Sequence, residues 1–316
     1  MTINFDPNKK EPISHELQLE ISELMQNMIL EKIFSSKDWD TKNLIFHGGT
    51  SVHVAWSSPR YSEDLDFLMN IDQIDNINKA ISDSIKDIEQ ELQKKYPGTE
   101  ISLKTKGDNK KLRSVIVHDI IWKHPNKYGK VRVKTEFFTV PPSNIKAYES
   151  ITKNWQPNDM LIWTKPQIEI DNLKLNVASP KAIYGDKIKC IATREYLKPR
   201  DFFDLWWLKT QLSQYIPNNE EEIYKTIRNS ADCYETTNID LINGFEKILK
   251  LNRNETITLI ENNLKNFLPE ETYIKMLNND NFSDMFDILQ SEIKKCLNII
   301  KINDPQWEQK KTQELK

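Results

Sequence analysis

The sequence predicts an α+β protein: a mixed β-sheet flanked by helices in the N-terminal part, followed by a mainly helical C-terminal part. Three observations lead there. The β-like stretches, rich in β-branched and aromatic residues, all precede Ser179. From Ser179 nearly to the end, apolar residues recur at helical spacing. The 316 residues are enough for two domains, and strands first with helices later is the order of an α+β domain followed by a helical one. The division is placed at 1–178 and 179–316.

Taken in order, residues 14–35 carry Leu17, Ile21, Leu24 and Met28 at helical spacing and predict a long amphipathic helix. Residues 44–46 (LIF) form a short strand running into Gly48-Gly49. A brief helix, TSVHVAW, follows, then the turn SSPRYSE and a second strand, DLDFLM. Residues 73–95 are helical and end at Pro97-Gly98. Three further strands follow in EISLKTK, LRSVIVHDII and KVRVKTEFF, the last after the turn NKYG. Proline and asparagine between 141 and 166 mark a long connection, and IEIDNLKLNVA at 168–178 holds one or two short strands. Helices are expected near 180–195, 200–213, 219–231, 238–250, 254–264, 270–279 and 281–300, before a polar tail.

Composition excludes several classes. Charged residues are 29% of the chain but the net charge is only -3, which argues against holding nucleic acid by bulk charge alone. The three cysteines, Cys190, Cys233 and Cys296, have no paired spacing for zinc or a disulfide framework, and a reducing compartment is the economical reading. No apolar run approaches the roughly 20 residues of a membrane span, and the N-terminus lacks the basic-then-apolar order of a signal peptide. The expectation is a cytoplasmic protein with no membrane partner.

Residues 46–69 (FHGGTSVHVAWSSPRYSEDLDFLM) carry the first chemistry. The chain has seven glycines, and two stand together here. A strand ending in Gly-Gly that turns straight into a helix leaves backbone N–H groups facing open space. With the hydroxyls of Thr50 and Ser51 they would cradle a phosphate; the alternative is an ordinary strand–helix turn. Asp64 and Asp66 lie at i and i+2 of a strand, so both carboxylates face one side while Leu65 and Phe67 face a core. Like charges about 6–7 Å apart are unfavourable without a cation between them, and Mg²⁺ fits because it takes one or two carboxylates plus substrate phosphates. A solvated strand face is the alternative. On KVRVKTEFF, Val131, Val133 and Thr135 share one face, and Arg132, Lys134 and Glu136 the other. Glu136 could complete a carboxylate triad and Lys134 could meet a triphosphate, although any half-exposed strand alternates in this way.

A second constellation is SPKAIYGDKIKCIATREYLKPRDFFDLWWL at 179–208. Ser179-Pro180 starts a helix, with a capping hydroxyl and a proline at the first position. Ile183, Lys187, Ile191 and Arg194 fall along one face, so Lys187 needs a phosphate or a facing carboxylate there, while Lys189 is off the face and solvated. The next helix opens with Pro199-Arg200-Asp201. Asp201 and Asp204 make an acidic pair at i, i+3, and Asp201 alone is also explained as a partner of the helix dipole. Phe202, Phe203, Leu205, Trp206 and Trp207 are read as core.

These constellations, in this order, resemble the AbiEii-type nucleotidyltransferase toxins of bacterial toxin–antitoxin and phage-defence systems, within the DNA-polymerase-β-like nucleotidyltransferase superfamily. The residues that carry the resemblance are GGT at 48–50, RYSEDLDF at 60–67, VKTE at 133–136 and DKIKCIATREYLKPRDFFDL at 186–205. It implies a nucleotidyltransferase-like N-terminal domain, with the helical domain contributing Lys187 and Asp201 to the active site. Gly48, Gly49 and Thr50 would bind triphosphate, and Asp64 and Asp66 would hold metal. Lys134 and Glu136 match the family's K-x-acid strand. Lys187 matches its nucleotide-contacting lysine, and Asp201 its late catalytic acid, with Asp204 the alternative. Arg60 and Ser62 match positions that brace the D-x-D strand.

The expected activity is a nucleotidyltransferase dependent on Mg²⁺, with Mn²⁺ as a substitute, that moves a nucleoside monophosphate from an NTP to an acceptor hydroxyl and releases pyrophosphate. The resemblance implies the tRNA 3′ end as acceptor, with a protein hydroxyl as the other option, and a cognate antitoxin as partner. Nothing in the sequence reads out the base. Two rival classes are a catalytically silent nucleotide- or RNA-binding module and an interaction protein that works through its C-terminal helices.

Overall fold

The structure is a computed structural model that describes residues 10–35, 41–107, 111–155 and 173–309. The polar tail from 310 and the stretch 156–172, which includes the start of the strand expected at 168–178, lie outside the described residues. The chain divides into two compact units. One comprises Met1–Ser57, Glu63–Ile145 and Ile151–Val177, and the other Ser58–Ser62, Lys146–Ser150 and Ala178–Lys316.

The first unit is built on a sheet. Strand β1 is Glu11–Pro12, helix α1 His15–Ser35, β2 Leu44–His47, α2 Gly48–Trp56, β3 Asp64–Asn70 and α3 Ile74–Lys95. Next come β4 Glu100–Lys106, β5 Val115–Lys123, β6 Lys127–Tyr128, β7 Val131–Val140, α4 Pro142–Ala147, β8 Ser150–Trp155 and β9 Leu173–Ala178. Seven strands form one mixed sheet in the order β4-β5-β7-β3-β2-β9-β8. Strand β3 runs antiparallel to β2 and parallel to β7, so it is central and both its edges are paired. The remaining pair, β1 with β6, is a two-residue parallel ladder too short to leave a pattern in the sequence.

The apolar face of the central strands makes the core. Phe67 of β3 stacks on Phe137 of β7 with ring centroids 4.9 Å apart, and lies 5.2 Å from Phe46 of β2 and 6.2 Å from Phe34 of α1. Each buried ring of this kind contributes roughly 1.5–3 kcal/mol through area removed from water. Helix α3 buries Ile74, Ile77, Ile81, Ile88 and Leu92, the spacing of one helical stripe. Two differences from the sequence reading have local causes. Strand β5 starts at Val115 and not at Leu112, because Arg113 adopts φ +55° and its N–H donates to the Thr139 carbonyl, which bends the chain before the ladder begins. The proline-rich connection also contains α4 and β8.

The second unit is helical: α5 Pro180–Thr193, α6 Pro199–Gln211, α7 Glu220–Cys233, α8 Asn238–Ile248, α9 Arg253–Leu264, α10 Glu270–Asn278 and α11 Asn281–Asn303. The Ser179 side chain caps α5 by accepting from the Ala182 N–H, with Pro180 in the first turn. Thr237 and Asp240 close a capping box on α8. Helix α5 is central, packed against α6, α7 and α8. Among the described residues no helix is long and apolar enough to cross a membrane.

Candidate functional site

In the sheet unit the glycine turn and the acidic strand meet. Helix α2 starts directly from β2, and Gly48 turns the chain with φ +77°. A Cβ on Gly48 would lie 2.3 Å from Asp66 Oδ2 and 2.9 Å from Asp66 Cβ. Glycine is therefore required twice, for the backbone angle and for the approach of the Asp66 carboxylate to the N-terminus of α2. The hydroxyls of Thr50 and Ser51, read from the sequence as part of a phosphate cradle, are buried and donate to the carbonyls of Asp64 and Gly48. They tie the turn to β3.

The register of the sheet sets the rest. Asp64 is paired with Lys134 and Asp66 with Glu136 across β3 and β7, and His47 of β2 faces Asp66 from the other side. Along β7, Val131, Val133 and Thr135 are buried, Lys134 and Glu136 are half-buried and Arg132 is exposed, so Lys134 and Glu136 stand on the carboxylate face. Lys134 Nζ lies 3.3 Å from Asp64 and 3.0 Å from Glu136. Burial, the largest influence, pushes the Asp66 carboxyl up; Asp64 and Glu136 push the same way while His47 and Lys134 oppose, leaving it at about 6. Burial works against the Lys134 ammonium, but Asp64 and Glu136 outweigh it and its pKa is raised.

No group of three or more His, Cys, Asp or Glu side chains poised to hold a metal exists among the described residues. The Lys134 ammonium lies between Asp64 and Glu136. The donor set nevertheless fits a hard divalent cation. It offers carboxylate oxygens on the facing positions of β3 and β7, the ligand type such a cation takes. Sequence reasoning did not single out His47, Asp119 or Gln26. His47 immediately precedes the glycines. Asp119 of β5 is paired in register with Lys134 and lies 3.6 Å from Arg132 and 3.3 Å from Lys106. Gln26 of α1 donates to the Glu63 carbonyl just before Asp64.

The helical unit holds the second constellation as a buried ion cluster. Arg60 clasps Asp204 with two bonds, Nε to Oδ1 at 2.8 Å and Nη2 to Oδ2 at 2.9 Å, and donates to the Tyr61 carbonyl. Lys187 Nζ sits 2.6 Å from Asp204 and 2.8 Å from Asp201, and Arg194 Nε lies 2.9 Å from Asp201. The Lys187 charge on its apolar helix face is thus resolved by carboxylates of α6. Burial, the largest influence, opposes ionisation of Asp201, but Lys187 and Arg194 overcome it and hold the carboxyl well below its usual range. Burial likewise opposes the Lys187 ammonium, and Asp201 and Asp204 more than restore it, so that its pKa is raised. Phe202, Phe203, Leu205 and Trp206 are buried as expected of core, and Ser62 is buried too. Lys189 corrects the sequence reading. It is buried, not solvated, with its ammonium 3.4 Å from the centre of the Tyr234 ring. The second face of α5 is covered, so a cation–π contact replaces water there.

A mixed sheet whose central strand carries D-x-D beside a glycine turn, in a chain continued by helices, is of the nucleotidyltransferase class. The family model described as nucleotidyl transferase AbiEii toxin, Type IV TA system, matches residues 31–294. The chain belongs to this family of nucleotidyltransferase toxins and is a nucleotidyltransferase. Membership implies a nucleoside triphosphate substrate and a cognate antitoxin in general terms. Among solved structures, the nucleotidyltransferase toxin MenT4 from Mycobacterium tuberculosis H37Rv is similar at 13% identity and TM-score 0.49, covering 94% of this chain and 93% of that one. JHP933 from Helicobacter pylori is similar at 14% identity and TM-score 0.46, covering 93% and 97%. No curated protein matches.

Proposed function

We propose that this toxin transfers a nucleoside monophosphate from an NTP to the 3′-terminal hydroxyl of tRNA in a Mg²⁺-dependent reaction. The observation that carries the reading is the Gly48 turn, which admits the Asp66 carboxylate to the N-terminus of α2 where an anion would otherwise be favoured. That is the layout needed to bring phosphate and cation together. The N–H groups of the α2 first turn receive the triphosphate, and Asp64 and Asp66 hold the metal, with Glu136 as a further ligand. When bound, Mg²⁺ supplies charge neutralisation on the phosphates. Lys134 turns from its carboxylates to a phosphate oxygen and stabilises negative charge on the leaving pyrophosphate. Glu136 accepts the proton of the acceptor hydroxyl. The acceptor O–P bond forms, the bond from the α-phosphorus to the bridging oxygen breaks, and pyrophosphate leaves. In the helical unit Asp204, saturated by Arg60 and Lys187, holds Lys187 in place.

The test is incubation of purified protein with each of the four α-³²P-labelled NTPs, Mg²⁺ and total tRNA, beside an Asp64→Ala control. Label on tRNA that the control lacks supports the reading and names the nucleotide. Label on protein instead changes the acceptor, and bound but untransferred nucleotide would turn the reading into a binding module.

A further inference from the structure

Asp64 and Asp66 stand two residues apart on β3 but are not held alike. The parallel ladder with β7 covers the whole strand, from Asp64 opposite Lys134 to Asn70 opposite Val140. The antiparallel ladder with β2 covers less, from Met69 opposite Leu44 to Asp66 opposite His47. Asp66 therefore has a paired strand on either side, and Asp64 has one on the β7 side alone. Strand β2 ends at His47 and the chain turns at Gly48 into α2. Continuing the register would put Gly49 opposite Asp64, and Gly49 is already helical. The ends of regular elements open most easily, so a ligand at such an end needs another hold.

Two helices take the place of the departed strand. Gln26 of α1 donates from Nε2 to the Glu63 carbonyl at 3.0 Å, and the Thr50 hydroxyl of α2 donates to the Asp64 carbonyl. Consecutive carbonyls at the entry to β3 are thus each tied to a different helix. Glu63 itself precedes β3 and belongs to neither ladder. Gln26 is buried in a stretch of α1 whose neighbours Leu24, Met25, Met28, Ile29 and Leu30 are apolar and buried too. Burying an amide costs more than burying an aliphatic chain unless the amide is hydrogen-bonded, so the packing of α1 does not by itself call for glutamine there. What the amide adds is a fixed place for the backbone one residue before Asp64.

We propose that Gln26 is a positioning residue for metal binding: together with Thr50 it fixes the unpaired edge of β3, and so holds the Asp64 carboxylate in place on the face it shares with Asp66 and Glu136. The proposal rests on the reading of Asp64 as a metal ligand. Carboxylates bind a cation only within narrow limits of place and direction. Groups that orient a ligand without touching the metal typically change metal affinity by about 10–100-fold. Asp66, held by two ladders, has no need of the same support.

The experiment measures Mn²⁺ affinity of the full chain by electron paramagnetic resonance, without nucleotide, for the wild type, Asp64→Ala, Gln26→Met, Thr50→Val and Asn176→Leu. Gln26→Met keeps an unbranched chain of similar length and removes the donor, and Thr50→Val removes the second bond with little change of shape. Asn176→Leu is the control. Its buried amide also donates to a backbone carbonyl, that of Leu44 at 2.9 Å, but at the other end of β2. Denaturant unfolding establishes which variants are folded, and either Gln26→Met or Thr50→Val decides the matter alone if the other does not fold. Affinity should fall about tenfold or more in Gln26→Met and Thr50→Val and stay at the wild-type value in Asn176→Leu. Wild-type affinity in the folded variants, or an equal loss in Asn176→Leu, overturns the proposal. Mn²⁺ binding that Asp64→Ala leaves unchanged overturns the metal reading of Asp64 and this proposal with it.

Discussion

Glu23 offers a prediction whose sign and size follow from the structure. It lies in α1, 1% exposed, with neither carboxylate oxygen hydrogen-bonded and the nearest cation candidate, His53 Nε2, 4.0 Å away. Burial, aided by Glu20, pushes its carboxyl from the ordinary 4.5 to about 8. The folded protein then holds a proton that the unfolded chain gives up above its own pKa. Between the two values stability falls as pH rises, by 1.36 kcal/mol per unit, and the loss is complete above the folded pKa. The deficit is about 1 kcal/mol at pH 5, about 3 at pH 7 and about 5 at pH 9. Glu23→Gln keeps the shape and removes the titration. The variant should therefore gain on the wild type as pH rises, by about 2–3 kcal/mol between pH 5 and pH 7. Denaturant unfolding at several pH values, with hydrogen exchange of the α1 amides to isolate the sheet unit, reads this difference. A gap that does not change with pH would refute the reasoning.

Other outcomes follow from the same geometry. Gly48→Ala places a methyl against the Asp66 carboxylate and costs the left-handed backbone about 1–2 kcal/mol, so nucleotidyl transfer should fall by more than a hundredfold while circular dichroism remains that of a folded protein. Asp204→Ala strands the buried Arg60 guanidinium and should cost about 3–5 kcal/mol in thermal or chemical unfolding of the helical unit, as expected when one partner of a buried pair is removed. Mn²⁺ binding should weaken about tenfold per pH unit below the Asp66 value of about 6, because the metal must displace that proton, and titrations at pH 5 and pH 7 followed by electron paramagnetic resonance test it.

Much of this was legible before the structure. β7 reads as VRVKTEFF, and each residue takes the face its alternation predicts, because the strand is buried on one side only. Gly48 stood out because a chain poor in glycine spends two at one turn, although only the structure shows that Asp66 is the group a side chain would strike. What could not be read depends on distant packing. The partners of Lys187 lie on the next helix, so spacing along α5 shows that the charge needs an anion without saying which. Lys189 and Glu23 look like polar positions on amphipathic helices, and their burial follows from a second covered face that local periodicity does not record. Strand order is likewise absent from local pattern, yet it is what brings Lys134 and Glu136 beside Asp64 and Asp66.

The most direct measurement of the central claim is pyrophosphate release from NTP in the presence of tRNA by the wild type and by Asp66→Asn, each with and without Mg²⁺. Release by the wild type that requires Mg²⁺ and falls by at least a thousandfold in the folded variant is the predicted result. Release at the wild-type rate by Asp66→Asn would contradict the account.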